Sequence, residues 1–235
     1  MMNVYAAVRK GKNKLCSEDR VAVGEIILDD ECREFVNITP GMIAVSDGVG
    51  GNPGGELASQ FLCERALSLA DGDILRNAEE LNESLLKYAS EINGREKMAA
   101  TFSAVVFGET VRILHIGNTR IYAIQGSYLK QLTTDHTTYN LLKSRGLNEE
   151  AERCNKSELV SCFGGGTNRF FSPDSEIVTV NKILMTSDGI HDHVDIDRME
   201  GIICSGKSCP EKCDELMQAA LENGSCDDMS IVLAW

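Results

Sequence analysis

Strand-length apolar runs come in consecutive blocks in this chain, not singly between helices, and that ordering most constrains its fold. Val4–Val8, Asp19–Leu28, Glu34–Ile38 and Met42–Ser46 form the first block, with short loops at Gly11–Lys14 and Asp29–Arg33 that read as hairpin turns between antiparallel strands. Two helices follow. The first is expected from about Pro53 to Ala70; in the second, Ile74, Ala78, Leu81, Leu85, Tyr88, Ala89 and Ile92 recur on one helical stripe. Gly72 lies between them, so they are expected to pack antiparallel. Ala100–Phe107, Val111–Gly117, Arg120–Gln125 and Tyr128–Leu132 then read as a meander. Residues 138–155 are polar and weakly helical, Gly164-Gly165-Gly166 reads as a loop, and 136–172 is expected to be the most mobile surface. Strands Glu176–Val180 and Lys182–Ser187, a helical stretch near 192–204, a helix over 208–223 and a strand Met229–Trp235 close the chain. Ser208 and Glu211 supply a capping box for that last helix. Parallel folds alternate strand and helix, and this order does not, so the expectation is α+β: a two-layer antiparallel sheet with helices outside.

At 235 residues the chain is long enough for one sizeable core and short for two, so 1–235 is read as a single domain. The net charge of −13 repels phosphate backbones and anionic head groups, which argues against nucleic acid and membrane partners. No run approaches the roughly 18 consecutive apolar residues of a membrane span, and Met1–Lys10 lacks a hydrophobic signal core. A cytoplasmic location is expected. Nine cysteines without regular spacing fit a reducing compartment better than a disulfide framework. Cys204, Cys209 and Cys213 cluster, but Cys209 and Cys213 share helical spacing with Leu216, Met217, Ala220 and Leu221, so buried thiols are the expectation over zinc. Residues 174–235 hold 13 carboxylates against 4 basic side chains, a net of −9. That acidity fits a solvated face, or carboxylates converging on divalent cations, or both.

Two segments repeat one pattern. Met42-Ile43-Ala44-Val45-Ser46-Asp47-Gly48 and Ile183-Leu184-Met185-Thr186-Ser187-Asp188-Gly189 are both apolar runs ending in Ser-Asp-Gly. A buried strand that ends in a carboxylate projects an anion rigidly at a sheet edge, and the glycine lets backbone approach a ligand closely. A plain Asp-Gly turn is the simpler reading of either one alone. Glu18-Asp19 and Asp227-Asp228 also stand beside strands. If all four clusters met, their repulsion would be tolerable only with protonation or with cations between them, and hard oxygen donors point to magnesium or manganese. Gly48-Val49-Gly50-Gly51-Asn52-Pro53-Gly54-Gly55 leads into a helix but lacks the Lys-Ser/Thr ending of a nucleotide-binding P-loop.

The series Lys14-x-x-Ser17-Glu18-Asp19, Asp47-Gly48-x-Gly50-Gly51, Gly117-Asn118-Thr119-Arg120, Asp135-His136-Thr137, Ser187-Asp188-Gly189 and Asp227-Asp228-Met229-Ser230 resembles the metal-dependent type 2C (PPM) protein Ser/Thr phosphatases, the short bacterial members in particular. The resemblance covers nearly the whole chain. It implies a four-layer αββα sandwich, two antiparallel sheets flanked by helices, and a Mg/Mn-dependent phosphatase that hydrolyses phosphoserine and phosphothreonine with a metal-activated water. Carried over, Asp47, Asp188 and Asp227 are the catalytic carboxylates. Asp47 would bridge two Mn2+ or Mg2+ ions with the Gly48 carbonyl at the second; Asp188 and Asp227 would hold the first, and Asp19, with Glu18, the second. Lys14 would bind the substrate phosphate, and 138–172 would be the flap that contributes to substrate choice. The resemblance also implies a phosphorylated protein substrate, an opposing Ser/Thr kinase, and a monomer.

Three departures stand out. The family has Arg where this chain has Lys14, which keeps the charge but loses the bidentate fork. The Asp of the family's Gly-Asp-Ser-Arg motif is Asn118, so a third metal ion is expected to be weakened or lost. The Asn that follows the last metal Asp is Asp228, an added charge. Val49 stands where eukaryotic members carry a His, which bacterial relatives also lack. Lys14 and Asn118 motivate a second reading, an attenuated or inactive phosphatase-like module that binds a phosphoprotein partner; a hydrolase of small phosphorylated metabolites is a third. His115, His191 and His193 receive no role.

Overall fold

A computed structural model describes residues 1–51, 53–166 and 170–235 of the chain. The first block contains β1 (Met2–Arg9), β2 (Arg20–Val23), β3 (Ile26–Leu28), β4 (Cys32–Ile38) and β5 (Met42–Ser46). Helix α1 (Gly55–Arg65) runs on into a 3-10 turn at Ala66–Ala70, and α2 (Ile74–Glu91) follows. Then come β6 (Ala99–Ala100), β7 (Phe102–Phe107), β8 (Val111–Ile116), β9 (Arg120–Gln125), β10 (Tyr128–Gln131), α3 (Thr138–Ser144) and α4 (Asn148–Arg153). The last part holds β11 (Phe163–Gly164), β12 (Asp174–Val178), β13 (Ile183–Thr186), α5 (Asp188–His191), α6 (Ile196–Ile203), α7 (Cys209–Glu222) and β14 (Met229–Ala234).

Two six-stranded antiparallel sheets carry the fold, in the orders β10-β9-β13-β14-β1-β4 and β12-β8-β7-β5-β2-β3. Three apolar layers hold them. Val4, Ala6, Val21, Val45, Val105, Ile121, Met185 and Val232 fill the space between the sheets. Helices α1 and α2 cover the second sheet through Ala58, Leu62, Leu81 and Leu85, packed on Ala44, Phe102 and Leu114. On the other side α6 and α7 cover the first sheet through Met199, Ile202, Cys213 and Leu216, over Tyr5, Leu184 and Leu233. This is the expected αββα order, and each central strand is apolar on both faces because each is buried on both. The stripe anticipated for α2 is its buried face, and Asp73 caps it by accepting from the amides of Leu75 and Arg76, a contact type that adds about 1 kcal/mol. The Ser208/Glu211 capping box forms at the start of α7. Cys213 is buried under that helix, whereas Cys204 is exposed. No described helix is long and apolar enough to cross a membrane.

The connections differ from the sequence expectation. Gly11–Lys14 and Asp29–Arg33 are not hairpin turns: β1 and β4 belong to one sheet, β2 and β3 to the other, so both loops cross between layers. The hairpin of this block lies inside the single strand expected over 19–28, which turns at Gly24, where φ is +59°. The meander is likewise broken, since β7 and β8 lie in one sheet and β9 and β10 in the other, with Gly117–Thr119 as the crossing. Alternation does not report a crossing such as that from β1 to β2, because both strands are buried over most of their length and a switch of sheet leaves the apolar pattern unchanged. The expected strand 176–180 sits slightly earlier, as β12. Within the 138–172 segment, α3 and α4 form a helical pair, β11 pairs with β6, and Thr137 bridges Leu159; residues 167–169, and Asn52 of the glycine loop, lie outside the described residues.

Candidate active site

Strand registers bring the four acidic clusters to one end of the sandwich. Arg20 pairs with Ser46, so Asp19, just before β2, lies beside Asp47, just after β5. In the facing sheet Thr186 pairs with Ile231 and Arg9 with Met229, so Asp188 after β13, Asp227 before β14 and the loop after β1 meet at the same end. Asn118 arrives through the crossing between β8 and β9. The serines of the two Ser-Asp-Gly repeats pin the strand ends: Ser46 Oγ donates to the Thr101 carbonyl at 2.8 Å, and Ser187 Oγ accepts from the Ser230 amide at 2.9 Å. The two glycines are required by close packing. A Cβ on Gly48 would lie 2.5 Å from the backbone of Gly55, and one on Gly189 only 2.0 Å from the Asp228 carbonyl oxygen.

Asp19 is fully buried; its Oδ2 accepts from Ser230 Oγ at 2.7 Å, while its Oδ1 has no hydrogen-bond partner. Burial pushes this carboxyl up to about 7, with the charges of Asp228 and Asp188 adding to the rise and the Ser230 hydrogen bond opposing it. Asp47 lies within reach of both Asp19 and Asp188 and is held well above the ordinary carboxylate range, first by burial and then by the charges of Asp188, Asp19 and Asp227. Burial and the neighbouring Asp227 and Asp192 push Asp188 up to about 6, although Asn118 Nδ2 donates to its Oδ2 at 2.9 Å. Asp227 is more open, its side chain 54% exposed, and its Oδ1 accepts from Lys14 Nζ at 2.6 Å. Lys14 Nζ also reaches Asp228 Oδ2 at 2.9 Å and Glu18 Oε2 at 3.2 Å. Burial alone would lower the ammonium, but its hydrogen bonds to Asp227 and Asp228 raise it well above its usual range, so it is a fixed positive charge.

Lys14, Asp47, Asp188, Asp227, Asn118 and Thr101 open onto a cleft of about 490 Å³. Gly48–Gly51 form one wall, and Asn155, Ser157, Glu158 and Leu159 from the segment after α4 form the other. The glycine loop therefore borders the carboxylates. As arranged, no three His, Cys, Asp or Glu side chains among the described residues form a closed ligand set. The carboxylates meet pairwise through Asp47, with Lys14 and Asn118 against them. The chemistry of the donors nonetheless fits hard divalent cations: oxygen ligands only, several pushed up by burial and by one another's charge, and buried orphaned oxygens on Asp19 and Asn118.

Every site residue anticipated from the sequence lies at this end of the sandwich. The histidines do not share its chemistry. His115 is buried, bridged between Ser103 Oγ at 2.8 Å and the Thr134 carbonyl at 3.0 Å, and pushed down to about 3 by burial and by His136. His191 is buried against Thr186 Oγ1 at 2.8 Å and is neutral for the same reason of burial. Asp135 of the Asp-His-Thr motif holds Arg120 through contacts of 2.6 to 3.1 Å, which braces the crossing that carries Asn118. Sequence reasoning missed Thr101, whose Oγ1 accepts from the Asp47 amide at 3.2 Å, and Ser230, whose hydroxyl holds Asp19. The Ser230 signal was its place three residues after Asp227; Thr101 had none.

A two-sheet sandwich with aspartates from both sheets converging on one cleft is the arrangement of a hydrolase of the protein phosphatase 2C type. The model of the family described as protein phosphatase 2C matches residues 22–223, and the chain belongs to that family. It is 28% identical over 210 residues to the serine/threonine phosphatase stp of Listeria welshimeri, covering 82% of this chain and 83% of that one. Among solved structures it resembles the serine/threonine phosphatase Stp1 of Staphylococcus aureus, with a TM-score of 0.80, 24% identity, and coverage of 100% of this chain and 94% of that one. The catalytic domain of the serine/threonine protein phosphatase PstP, solved with two manganese ions, has a TM-score of 0.75 and 22% identity, covering 100% of this chain and 98% of that one.

Proposed function

We propose that this chain is a Mg2+- or Mn2+-dependent protein serine/threonine phosphatase that hydrolyses phosphoserine and phosphothreonine in protein substrates without a covalent enzyme intermediate. The observation that carries the reading is the meeting of Asp47, Asp188 and Asp227 at one cleft, with Asp19 buried beside Asp47 and bearing an oxygen that no protein donor satisfies. The family, the names of the relatives and the two manganese ions of PstP support it. In this reading 1–235 acts as one catalytic domain and as a monomer.

Asp47 would take part in holding both cations, with the Gly48 carbonyl joining it at the second; Asp188 and Asp227 would hold the first, and Asp19 with Glu18 would serve the second. Cations held there would supply a water of lowered pKa and polarisation of a phosphoryl oxygen. The protein's own contribution is rigidity: strand ends and packed glycines hold the carboxylates, so little reorganisation accompanies the reaction. Lys14 offers an ammonium to the incoming phosphate at the open side of the cleft, beside the exposed Asp227. The wall formed by Asn155, Ser157, Glu158 and Leu159 faces the residues that flank the phosphorylated side chain and takes part in substrate choice. No thiol is among the described residues lining the cleft, in keeping with direct attack by water. A Ser/Thr kinase acting on the same protein substrate is the proposed opposing partner.

Purified protein assayed with p-nitrophenyl phosphate and with phosphoserine and phosphothreonine peptides is expected to be active with Mn2+ and silent in EDTA. Binding of two manganese ions with no hydrolysis of any of these would refute the enzymatic reading and favour the phosphoprotein-binding module.

A further inference from the structure

Asp228 is the one carboxylate of this cluster that the proposed reaction does not use. It is 2% exposed, and its oxygens accept from donors of a single loop. Oδ1 accepts from the Gly11 amide at 2.7 Å; Oδ2 accepts from the Glu18 amide at 2.7 Å and from Lys14 Nζ at 2.9 Å. Those partners are the beginning, the middle and the end of the loop that crosses from β1 in one sheet to β2 in the other.

We propose that Asp228 is a positioning residue that holds this crossing loop as one unit, setting Lys14 for the substrate phosphate and, through Glu18, the backbone around Asp19 and Gly48. The inference rests on the reading of the cleft as a phosphate site. Glu18 is clamped on both sides of its peptide: its amide donates to Asp228, and its carbonyl accepts from the Gly48 amide at 3.1 Å and from Ser59 Oγ. Asp228 thus connects the start of β14 to the end of β5 in the other sheet through a single residue.

A carboxylate suits this post and an amide does not. Both oxygens face donors only, and an Asn would turn its NH2 towards the Gly11 amide or towards Glu18 and Lys14. The Lys14 ammonium, 2.9 Å from Oδ2, offsets part of the Asp228 charge. Lys14 is hinged unevenly between its partners. The Asp228 side chain is 1% exposed, whereas that of Asp227 is 54% exposed. An arriving phosphate therefore displaces Asp227 from the ammonium and leaves the Asp228 contact in place.

The test is a double-mutant cycle on the full chain with Mn2+, using Lys14→Met, Asp228→Asn and the double variant, read as KM and kcat for a phosphopeptide and paired with amide hydrogen exchange. Each single variant is expected to raise KM about tenfold, the scale of one charge-assisted hydrogen bond, with kcat changed less than about threefold. The double variant is expected to exceed Asp228→Asn by less than about twofold. Exchange at Gly11 and Glu18 is expected to accelerate at least about tenfold in Asp228→Asn and to stay unchanged in Lys14→Met. In the unmutated chain both amides should exchange as slowly as those of β14, a measurement that stands even if Asp228→Asn does not fold. Multiplying KM effects, unchanged exchange in Asp228→Asn, or fast exchange at Gly11 and Glu18 in the unmutated chain would overturn the proposal. An unmutated chain that turns over no phosphorylated substrate defeats the phosphatase reading instead, and the exchange data then decide the role of Asp228 alone.

Discussion

Replacing Asp19 by Asn separates what this site costs the fold from what it does. The carboxyl is fully buried and its pKa is raised from 3.8 to about 7, so the folded state binds a proton that the unfolded chain has released over that interval. The sign follows from linkage: stability associated with this group is fully present below about pH 4 and is lost as pH rises through about 7. That interval of about 3 pH units, at roughly 1.4 kcal/mol each, sets a ceiling of about 4 kcal/mol at pH 8, and relaxation around the charge brings the realised figure to about 2–4 kcal/mol. The substituting amide carries no charge and still meets the Ser230 hydroxyl. In EDTA at pH 8 the variant is expected to melt on the order of 10 °C above the unmutated protein, taking about 2–4 °C per kcal/mol for a chain of this size. At pH 4 the two should melt together. With Mn2+ the order reverses, because the unmutated protein gains a ligand that the variant lacks, and a manganese titration should show weaker binding by at least about tenfold. Differential scanning calorimetry over pH 4 to 8, with EDTA and with Mn2+, provides the assay. A variant that is less stable than the parent at pH 8 in EDTA, or whose gain does not vary with pH, would refute the argument that buried charge repulsion strains this end of the sandwich.

Gly189→Ala puts a methyl 2.0 Å from the Asp228 carbonyl oxygen and is expected to cost about 3 kcal/mol, seen as a lower urea midpoint. Asn118→Asp exchanges the donor on Asp188 for a further carboxylate; in EDTA at pH 8 it should lower the melting temperature, and with excess Mn2+ it should raise both the bound metal count and turnover, whereas unchanged values would show that Asn118 is no handicap. Arg120→Lys loses the multiple contacts to Asp135 and is expected to cost about 1–3 kcal/mol with a fall in kcat, because the crossing loop that carries Asn118 loosens; calorimetry and single-substrate kinetics check it.

Much of this was legible in the residues. The stripe of α2, the capping box of α7 and the two Ser-Asp-Gly strand ends rest on interactions within a few residues, and local spacing reports those directly. The family motifs named Asp19, Asp47, Asp188, Asp227 and Lys14 in advance; four of them line one cleft and Asp19 is buried beside Asp47. Illegible were the sheet to which each strand belongs and the partner of each side chain. Asp228 looked like a surplus charge beside Asp227, and only the fold shows it accepting from Gly11, 217 residues earlier. The loops at 11–14 and 29–33 looked like hairpins because loop length carries turn chemistry and no record of which layer comes next.

The sequence by itself determined the class of the fold, the stations of the acidic residues at strand ends and the chemistry those oxygens can support, because periodicity, turn residues and donor type are local properties. The tertiary structure decided which carboxylates meet at one end of the sandwich and which one turns to a distant loop. Asp227 and Asp228 are adjacent and chemically identical, yet one faces the cleft and the other faces three donors from a loop more than two hundred residues away. Successive residues entering a strand point to opposite sides, and what waits on either side is set by the packing of two sheets, which no local pattern contains.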